Sequence, residues 1–496
     1  MILSSPSRLR LPEETDKVKR FLSFTDRSVS FQINKMRQMY HWKRNDPDGF
    51  ETRLEELKAS QKKSILMHDE DGLPYTYSGL WQDLRQQFGW ELTNGLVLPE
   101  ANRSIPWAHI PEFEARYYQE EAVLALLANA KYGPCAIELP TGSGKSRIIH
   151  ELCHRNPVQT VIITPSKTIT SALFRELTFL MGPKFVGKYG DGRKDLGKLF
   201  TVATAQALTR IEKGSDEDDF FKKTAQFVWD ESHTTPAETF EKVCLGVLGD
   251  VPYRFFLSAT QMRTDGSELM LRGITGPVVY SKDFKELVNE GFLARPIFKL
   301  FHVPAYGFSG SKDAKKETRT QLYQNPNVNS LAAEFAEKCV NLANRQTVIL
   351  IEEFQQFLTL KNYIKVPFEF AHGGSSNREN SDGVKLREVL PKEYWESDVD
   401  RIVERFNRGD TKLIIGTSAI GTGVDLKPTG ALIYLQGGLS EIKVKQAIGR
   451  GTRVTDTKKD CIVVDFNILG SPTMERHYEE RKAIYASLGD VTEIRK

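Results

Sequence analysis

One segment, Leu139-Pro140-Thr141-Gly142-Ser143-Gly144-Lys145-Ser146, constrains the fold of this chain more than any other feature. It follows the apolar run 135–137 and precedes a helical pattern near Arg147, so it predicts a strand, a tight loop and a helix in succession. In that setting the backbone N–H groups curl around a phosphate, Lys145 reaches the β and γ oxygens, and the Ser146 hydroxyl ligates Mg²⁺. The usual pattern begins with glycine, whereas this chain has Leu139. The predicted nucleotide-binding residues are Pro140, Thr141, Gly142, Ser143, Gly144, Lys145 and Ser146.

Length and composition indicate a globular protein of several domains. The chain has 496 residues, of which 40% are hydrophobic and 27% charged, and this length exceeds what one core supports. A net charge of +3 neither supports nor excludes a nucleic-acid partner, because a basic groove can hide in a balanced total. The five cysteines lie far apart, which favours a reducing compartment over a disulfide framework or a zinc cluster. Without a membrane-length apolar run or a secretion signal, we expect a cytoplasmic protein and no membrane partner.

Two regions alternate short apolar runs with helical patterns, which is typical of parallel sheets flanked by helices. Candidate strands lie at 160–163, 199–203, 227–229 and 254–257, and again at 347–351, 412–415, 431–434 and 461–464. The predicted fold class is therefore α/β, with two tandem parallel-sheet domains behind a small α+β domain. We predict an N-terminal substrate-binding domain at 1–105, sheet domains at 106–295 and 331–496, and a polar connector at 296–330.

The N-terminal region combines strand and helix signals. Val29, Phe31 and Ile33 alternate with polar residues and predict a strand. Residues 50–59 instead have the pattern of a charged helix. The run 42–44, Trp-Lys-Arg, is suited to base stacking and phosphate contact, although an ordinary exposed patch has the same composition.

An acidic pair, Asp230-Glu231, follows the apolar run 227–229. A carboxylate at the end of a buried strand can hold Mg²⁺, and its neighbour can orient and deprotonate an attacking water. Solvated acidic pairs are common at strand ends, so the pair indicates a catalytic site only in combination with the phosphate loop upstream. Together the two motifs predict nucleotide hydrolysis, with Asp230 and Ser146 on the metal, Lys145 on the phosphates and Glu231 as the base.

Further motifs resemble those of superfamily 2 helicases and translocases of the DEAH-like group. Residues 230–233 resemble motif II, residues 258–260 motif III and residues 446–453 motif VI. The resemblance implies two RecA-like domains that hydrolyse ATP with Mg²⁺ in the cleft between them. It also implies catalytic roles for Gln446, Arg450 and Arg453, since the charge on the transferring phosphoryl group must be stabilised.

The same resemblance assigns further residues to ATP and to DNA. Gln119 is the implied adenine contact, with an ordinary helix start as the alternative, and Gly423 and Asp425 of motif V are implied ATP contacts. The implied DNA contacts are small or polar residues at strand ends, namely Thr164, Pro165, Thr204, Gln206, His372, Gly373, Thr417 and Ser418. Such residues suit phosphate contact without base reading, but they also form ordinary tight turns.

Within the superfamily, the N-terminal pattern and the segment 291–296 are similar to the UvsW-type branch-migration helicases of phages. That similarity implies a DNA helicase acting on forks and Holliday junctions, in a phage-infected or bacterial cell. Motif VI is closer to the motor subunits of restriction enzymes, so a duplex DNA translocase without its own nuclease is the alternative.

Three other functions are disfavoured. Residues 47–58 fit PD-x-ExK nuclease spacing, but their helical pattern does not, because that motif needs strands. Ser232, His233 and Gln446 depart from the DEAD-box pattern of RNA helicases. A simple nucleotide-binding regulator would not explain the paired arginines of motif VI.

Overall fold

The computed structural model describes residues 1–101, 105, 114–232, 235, 237–259, 268–307, 309–311, 313–373, 386–417, 420, 426–438, 441–455 and 458–495. The chain folds into two compact units. The first comprises Met1–Leu139 and Gly144–Ser281, and the second comprises Pro140–Ser143 and Lys282–Lys496. A mostly parallel sheet runs through each unit, so the predicted α/β class with two parallel-sheet domains and a small N-terminal α+β part is confirmed.

The N-terminal part of the first unit is a small α+β assembly. Its strands are β1 (Ile2–Ser5), β2 (Arg8–Arg10), β3 (Ser23–Thr25), β4 (Lys62–Ser64), β5 (Met67–His68) and β6 (Pro74–Tyr77). Its helices are α1 (Asp16–Phe21), α2 (Arg27–Arg37), α3 (Tyr40–Asn45), α4 (Pro47–Gln61) and α5 (Trp81–Phe88). Four strands form an antiparallel sheet in the order β1-β2-β6-β5, and β3 pairs with β4 separately.

The predicted strand at residues 29–33 is wrong, because these residues lie in α2. Residues four apart share one face of a helix, so Val29 and Ile33 both pack towards α4 while Phe31 points away and is 70% exposed. The charged helix predicted at 50–59 is confirmed as part of α4. A helix at this position is incompatible with the strands that the nuclease motif needs.

The N-terminal part and the first parallel sheet share one hydrophobic core. Leu80 and Leu84 belong to the same buried cluster as Leu271 and Ile274. At the edge of this contact, the Tyr77 hydroxyl donates to Glu241 at 2.8 Å.

The first parallel sheet has the strand order β10-β9-β11-β8-β12-β13-β7-β14, and only β10 runs antiparallel to its neighbour. Its strands are β7 (Cys135–Glu138), β8 (Thr160–Thr164), β9 (Val186–Gly190), β10 (Arg193–Lys194), β11 (Phe200–Thr204), β12 (Gln226–Asp230), β13 (Tyr253–Ser258) and β14 (Val278–Ser281). The helices of this region are α6 (Tyr117–Asn129), α7 (Lys145–Arg155), α8 (Lys167–Met181), α9 (Ala205–Leu208), α10 (Asp216–Lys222), α11 (Ala237–Glu241) and α12 (Glu268–Thr275). Every residue of β8, β12 and β13 is buried, as expected for central parallel strands covered on both faces.

The second unit has a parallel sheet in the order β17-β18-β16-β19-β20-β15-β21. Its strands are β15 (Arg295–Pro304), β16 (Gln346–Leu350), β17 (Glu369–Ala371), β18 (Leu413–Gly416), β19 (Thr429–Tyr434), β20 (Asp460–Leu469) and β21 (Asp490–Arg495). Its helices are α13 (Phe284–Asn289), α14 (Ala314–Thr318), α15 (Pro326–Asn341), α16 (Phe354–Leu360), α17 (Leu386–Val389), α18 (Val399–Arg408), α19 (Glu441–Gly451) and α20 (Pro472–Leu488). Strand β15 lies in the region predicted as a connector, and the predicted domain boundaries themselves stay predictions.

Candidate active site

Three neighbouring strands of the first sheet bring the phosphate loop and the acidic pair to one edge. Strand β13 lies between β7 and β12, with Leu257 paired to both Ile137 and Asp230. Because these strands are parallel, the segments that follow them emerge at the same carboxyl edge, where ligands of α/β sheets bind. The amide of Leu139 donates to the carbonyl of Ser258 at 2.9 Å, which fixes the start of the phosphate loop against the end of β13.

The phosphate loop leads directly into the first turn of α7. Gly144 adopts a left-handed conformation with φ of 84° at the position before this helix, and a Cβ there would approach Gln119 Nε2 at 2.5 Å. The left-handed backbone therefore favours glycine, and a larger residue would also displace the Gln119 amide. The exposed Ser146 hydroxyl follows on the first turn, where unpaired helix N–H groups favour an anion.

The Lys145 side chain is buried next to the acidic pair. Its Nζ lies 3.0 Å from Glu231 Oε1 and 3.3 Å from the carbonyl oxygen of Leu139. These two contacts hold the ammonium group at the carboxyl edge of the sheet. The predicted role of this lysine on the β and γ phosphates stays a prediction.

Asp230 is a buried carboxylate with an oxygen that has no hydrogen-bond partner among the described residues. This oxygen, Oδ1, is inaccessible to solvent. Burial, and then the adjacent negative charge of Glu231, raise the pKa of Asp230 to about 7. A buried carboxylate oxygen of this kind is what a bound cation would stabilise.

Magnesium fits the residues that are present. Ser146 and Asp230 would supply hard oxygen ligands, and Mg²⁺ characteristically takes few protein ligands together with substrate phosphates and water. The described part of the chain has no group of three or more His, Cys, Asp or Glu residues that could hold a metal ion by themselves. When bound, the metal supplies charge neutralisation for the phosphates.

Glu231 stands in a strained backbone conformation. Its φ of 50° is left-handed, one of three such values at non-glycine residues in the described ranges. A strained, partly buried carboxylate directly after the predicted metal ligand Asp230 is an arrangement typical of functional sites. The following residue, Ser232, is fully buried, and His233 lies outside the described residues.

Gln119 connects the start of α6 to the phosphate loop. Its Oε1 accepts from the Arg116 amide at 2.9 Å, and its Nε2 donates to the carbonyl of Gly144 at 3.4 Å. The side chain is 3% exposed. The structure thus gives Gln119 a positioning contact with the loop, while the predicted adenine contact stays a prediction.

The predicted residues of motif VI lie in the second unit. Gln446 and Arg450 belong to α19, with Arg450 buried at 9% exposure, and Arg453 forms a bridge with Leu293 two residues beyond the helix. Their predicted catalytic roles stay predictions. The predicted ATP contacts Gly423 and Asp425 lie outside the described residues.

The predicted DNA contacts of the first unit lie at the carboxyl edge of its sheet. Thr164 and Thr204 end neighbouring strands and pair directly in register. The Thr164 hydroxyl is buried against Thr170 at 2.6 Å, whereas Thr204 caps α9 and Gln206 is exposed. The exposed Gln206 is therefore better placed than the buried Thr164 to contact a bound nucleic acid. Pro165 follows Thr164 in the same turn.

In the second unit, the corresponding residues follow β17 and β18. The His372 side chain is buried, with Nε2 2.9 Å from the carbonyl oxygen of Tyr394, and burial lowers its pKa. Gly373 is exposed, and the Thr417 amide donates to Ala371 at 3.1 Å. Ser418 and the motif III residue Thr260 lie outside the described residues, and DNA binding at all these positions stays a prediction.

Sequence reasoning missed the backbone groups that shape the site. The carbonyls of Leu139, Gly144 and Ser258 each accept a hydrogen bond that fixes the phosphate loop or its lysine. Every residue carries a carbonyl, so no sequence signal could single these out. The left-handed backbone of Glu231 was equally invisible, since its type carries no preference for that conformation.

Two protein-family models match the chain. The model described as the res subunit of type III restriction enzymes matches residues 112–263, and the helicase conserved C-terminal domain matches residues 328–455. The chain belongs to the superfamily 2 helicases. It is therefore an ATP-hydrolysing enzyme, which agrees with the phosphate loop and acidic pair at one sheet edge.

Individual similar proteins are distant. The DNA 3'-5' translocase XPB2 of Sulfurisphaera tokodaii is 26% identical over 399 residues, covering 74% of this chain and 85% of that protein. Among solved structures, S. cerevisiae Dbp5 bound to RNA and ADP BeF3 has a TM-score of 0.51 at 15% identity, covering 78% and 93% of the two chains. The structure of T4 UvsW has a TM-score of 0.40 at 16% identity, covering 99% and 98%. No described helix is both long and apolar enough to span a bilayer.

Proposed function

We propose that this superfamily 2 enzyme is an ATP-driven DNA translocase that remodels branched duplexes such as forks and Holliday junctions. The observation that carries the motor assignment is the convergence of Lys145, Asp230 and Glu231 at one carboxyl edge, with Lys145 Nζ 3.0 Å from Glu231. The DNA assignment is supported by the similarity to XPB2, whose name describes a DNA translocase. The matched region covers 85% of the XPB2 chain.

In this function each residue of the edge has a distinct role. Lys145 binds the β and γ phosphates, while Asp230 and Ser146 hold Mg²⁺. Glu231 orients the attacking water and accepts its proton. Arg450 and Arg453 stabilise the charge on the transferred phosphoryl group.

The preference for branched DNA is the most specific part of the proposal. It is supported by the N-terminal sequence pattern and the segment 291–296, which are similar to UvsW-type proteins. A second candidate, a restriction-type translocase on linear duplex, is favoured by the family model at residues 112–263, whose description names a restriction subunit. Both candidates share the same ATPase residues and differ in the DNA structure that stimulates them.

The test is the steady-state ATPase rate under five conditions at one low salt concentration: no nucleic acid, single-stranded DNA, linear duplex DNA, a four-way DNA junction and duplex RNA. Salt is fixed because phosphate contacts make binding strongly salt-dependent. Strongest stimulation by the junction supports branch remodelling, and equal stimulation by linear duplex supports the restriction-type candidate. Stimulation by RNA alone would overturn the DNA assignment. The Glu231→Gln variant is the control that measures the activity of contaminating ATPases.

A further inference from the structure

The N-terminal part of the first unit contains a group of three helices with a hydrophobic cluster of its own. We define the helical arm as residues 26–61, which comprise α2, α3 and α4 and lie between the paired strands β3 and β4. The arm has its own small core of buried side chains, distinct from the main core of the unit: Ile33, Met36, Phe50, Leu54 and Leu57. Neither Phe31 nor Tyr40 belongs to this core.

The first half of the helical arm is strongly basic. Residues 27–45 contain no Asp or Glu and five cations: Arg27, Lys35, Arg37, Lys43 and Arg44. All five are exposed, and none forms an ion pair with a carboxylate of the described chain. By contrast, Arg53 on α4 pairs with Glu56 at 2.7 Å. Helices α2 and α3 thus carry five cations that no carboxylate of the described residues approaches at ion-pair distance.

The same two helices expose large aromatic side chains. Phe31 is 70% exposed and Tyr40 is 78% exposed, with Met39 between them at 41%. Trp42 is different, because its ring packs edge-on against Phe50 at 5.8 Å and it is 38% exposed. Neither Phe31 nor Tyr40 belongs to a hydrophobic core of the described residues, so both rings are accessible for stacking on a ligand.

Spacing along α2 interleaves the two kinds of side chain. Arg27, Phe31 and Lys35 are each four residues apart, so they follow one stripe of the helix. Tyr40 then begins α3, only three residues after the end of α2. Aromatic faces alternating with cations are the combination that proteins use to bind unpaired nucleic-acid strands.

We propose that the helical arm binds single-stranded DNA, with unpaired bases stacking on Phe31 and Tyr40 and phosphates contacting the surrounding cations. A duplex is a poorer ligand for this surface, because its base faces are already stacked on one another. The inference rests on the proposed function, in that a branched substrate supplies the unpaired strand next to the duplex on which the motor acts. It adds a strand-binding surface outside both parallel sheets.

The first test compares full-length variants that remove or keep the rings. Phe31→Ala/Tyr40→Ala removes both rings, Phe31→Tyr/Tyr40→Phe keeps them, and Leu342→Ala removes a side chain that is 82% exposed in the second unit. Binding is measured by fluorescence anisotropy, without nucleotide, on a labelled oligothymidine of about 16 nucleotides and on a blunt duplex of equal length. Melting temperatures confirm that each variant is folded.

We expect the double alanine variant to bind the oligothymidine at least about tenfold more weakly, because each stacked base contributes substantially to affinity. The ring-keeping variant, the Leu342→Ala control and all duplex affinities should match the wild type. An unchanged oligothymidine affinity would overturn the proposal and point to a protein partner for the arm. Equal loss on single strand and duplex would also overturn it, since that pattern indicates backbone contact without stacking.

A second pair of variants tests the cations without altering the rings. Arg27→Gln/Lys35→Gln should reduce the dependence of log affinity on log salt by about 0.7 for each lost phosphate contact. Arg53→Gln, on the same arm but ion-paired, should leave that slope unchanged. The ATPase rate of the wild type separates the two proposals. If DNA stimulates the wild-type ATPase but the arm variants bind oligothymidine as tightly as the wild type, only the arm proposal is overturned. If no DNA stimulates the wild-type ATPase, the proposed function is overturned.

Discussion

The Nζ of Lys145 and the Oε1 of Glu231 lie 3.0 Å apart, and both side chains are largely buried, at 7% and 16% exposure. The cation expected on the phosphates is thus paired with the carboxylate expected to activate water. Bound phosphates would compete with Glu231 for Lys145, since both are anionic ligands of one ammonium group. Nucleotide binding would therefore release the carboxylate for its role on the water.

Replacing Glu231 by glutamine should stop turnover while preserving nucleotide binding. Loss of a general base typically lowers the rate by about 10²- to 10⁴-fold. ATP affinity should be equal or higher, because an amide competes less well than a carboxylate for Lys145. Parallel measurements of ATPase rate and of fluorescent nucleotide binding check both parts. Turnover within about tenfold of wild type would reject Glu231 as the base.

Removing Lys145 should destabilise the first unit in addition to stopping hydrolysis. Lys145→Ala leaves the Glu231 carboxylate largely buried without this cation, and loss of a hydrogen bond to a charged group costs about 1.5–3 kcal/mol. The double variant Lys145→Ala/Glu231→Gln should recover part of that loss, because the amide is cheaper to bury. Thermal unfolding of the two single variants and the double variant measures the coupling. Strictly additive effects would show that the pair contributes nothing to stability.

Asp230 should make the metal-free protein less stable as the pH rises. Its folded pKa, raised to about 7 by burial and by Glu231, lies above the unfolded value, so the folded chain holds this proton more tightly. Stability contributed by this group is therefore present at low pH and is lost as the pH rises towards about 7. In EDTA, Asp230→Asn should show a smaller decline in melting temperature than wild type between about pH 5 and 7.5.

Magnesium provides the control for that experiment. Mg²⁺ with a nucleotide should clearly raise the melting temperature of the wild type. The rise should be much smaller in Asp230→Asn, because this variant lacks the carboxylate expected to bind the metal and so gains less stability from it. A steeper pH decline in Asp230→Asn than in wild type would contradict the assignment, as would equal stabilisation by magnesium.

Much of the fold was predictable because central parallel strands are buried on both faces. The apolar runs at 227–229 and 254–257 became β12 and β13, since no polar alternation is needed in a covered sheet. The region predicted as a connector illustrates the limit. Its first part is β15, where Arg295, Lys299 and His302 interrupt the apolar run although the strand lies between β20 and β21.

Motifs in the sequence indicate candidate residues for the site, but they do not indicate the contacts between those residues. Lys145 and Glu231 were identified by motif, yet their pairing depends on β13 lying between β7 and β12, which no local pattern encodes. The error at residues 29–33 has a similar origin. A three-residue alternation fits a strand, but Val29 and Ile33 also satisfy the helix period, and packing against α4 selects the helix.

Arg450 should be needed for turnover but not for nucleotide binding. If its guanidinium stabilises charge that develops on the phosphoryl group, Arg450→Ala lowers the rate by about 10³-fold or more and changes ATP affinity little. Arg450→Lys should recover little of the lost turnover rate, because an ammonium group cannot reproduce the planar geometry of the guanidinium. Arg476→Ala, at an exposed position on α20, is the matched control and should keep full activity. Full turnover in Arg450→Ala would overturn the assignment.

The second unit should depend for its stability on a buried network around Asp465. Arg481 donates to both carboxylate oxygens, at 2.6 and 3.1 Å, and the Tyr485 hydroxyl donates to one of them at 2.7 Å. Both charged side chains are 1% exposed. Arg481→Met leaves the carboxylate without its cation and should lower the free energy of unfolding by about 3–5 kcal/mol.

Two further variants distinguish the charge pair from simple packing. Arg481→Met/Asp465→Leu should regain much of the lost stability, because replacing both charges by apolar groups removes the uncompensated carboxylate. Tyr485→Phe removes one hydrogen bond and should cost about 1 kcal/mol, less than the loss of the cation. Denaturant unfolding, followed by fluorescence, measures all three. If Arg481→Met and the double variant were equally unstable, lost volume and not the unpaired charge would account for the effect.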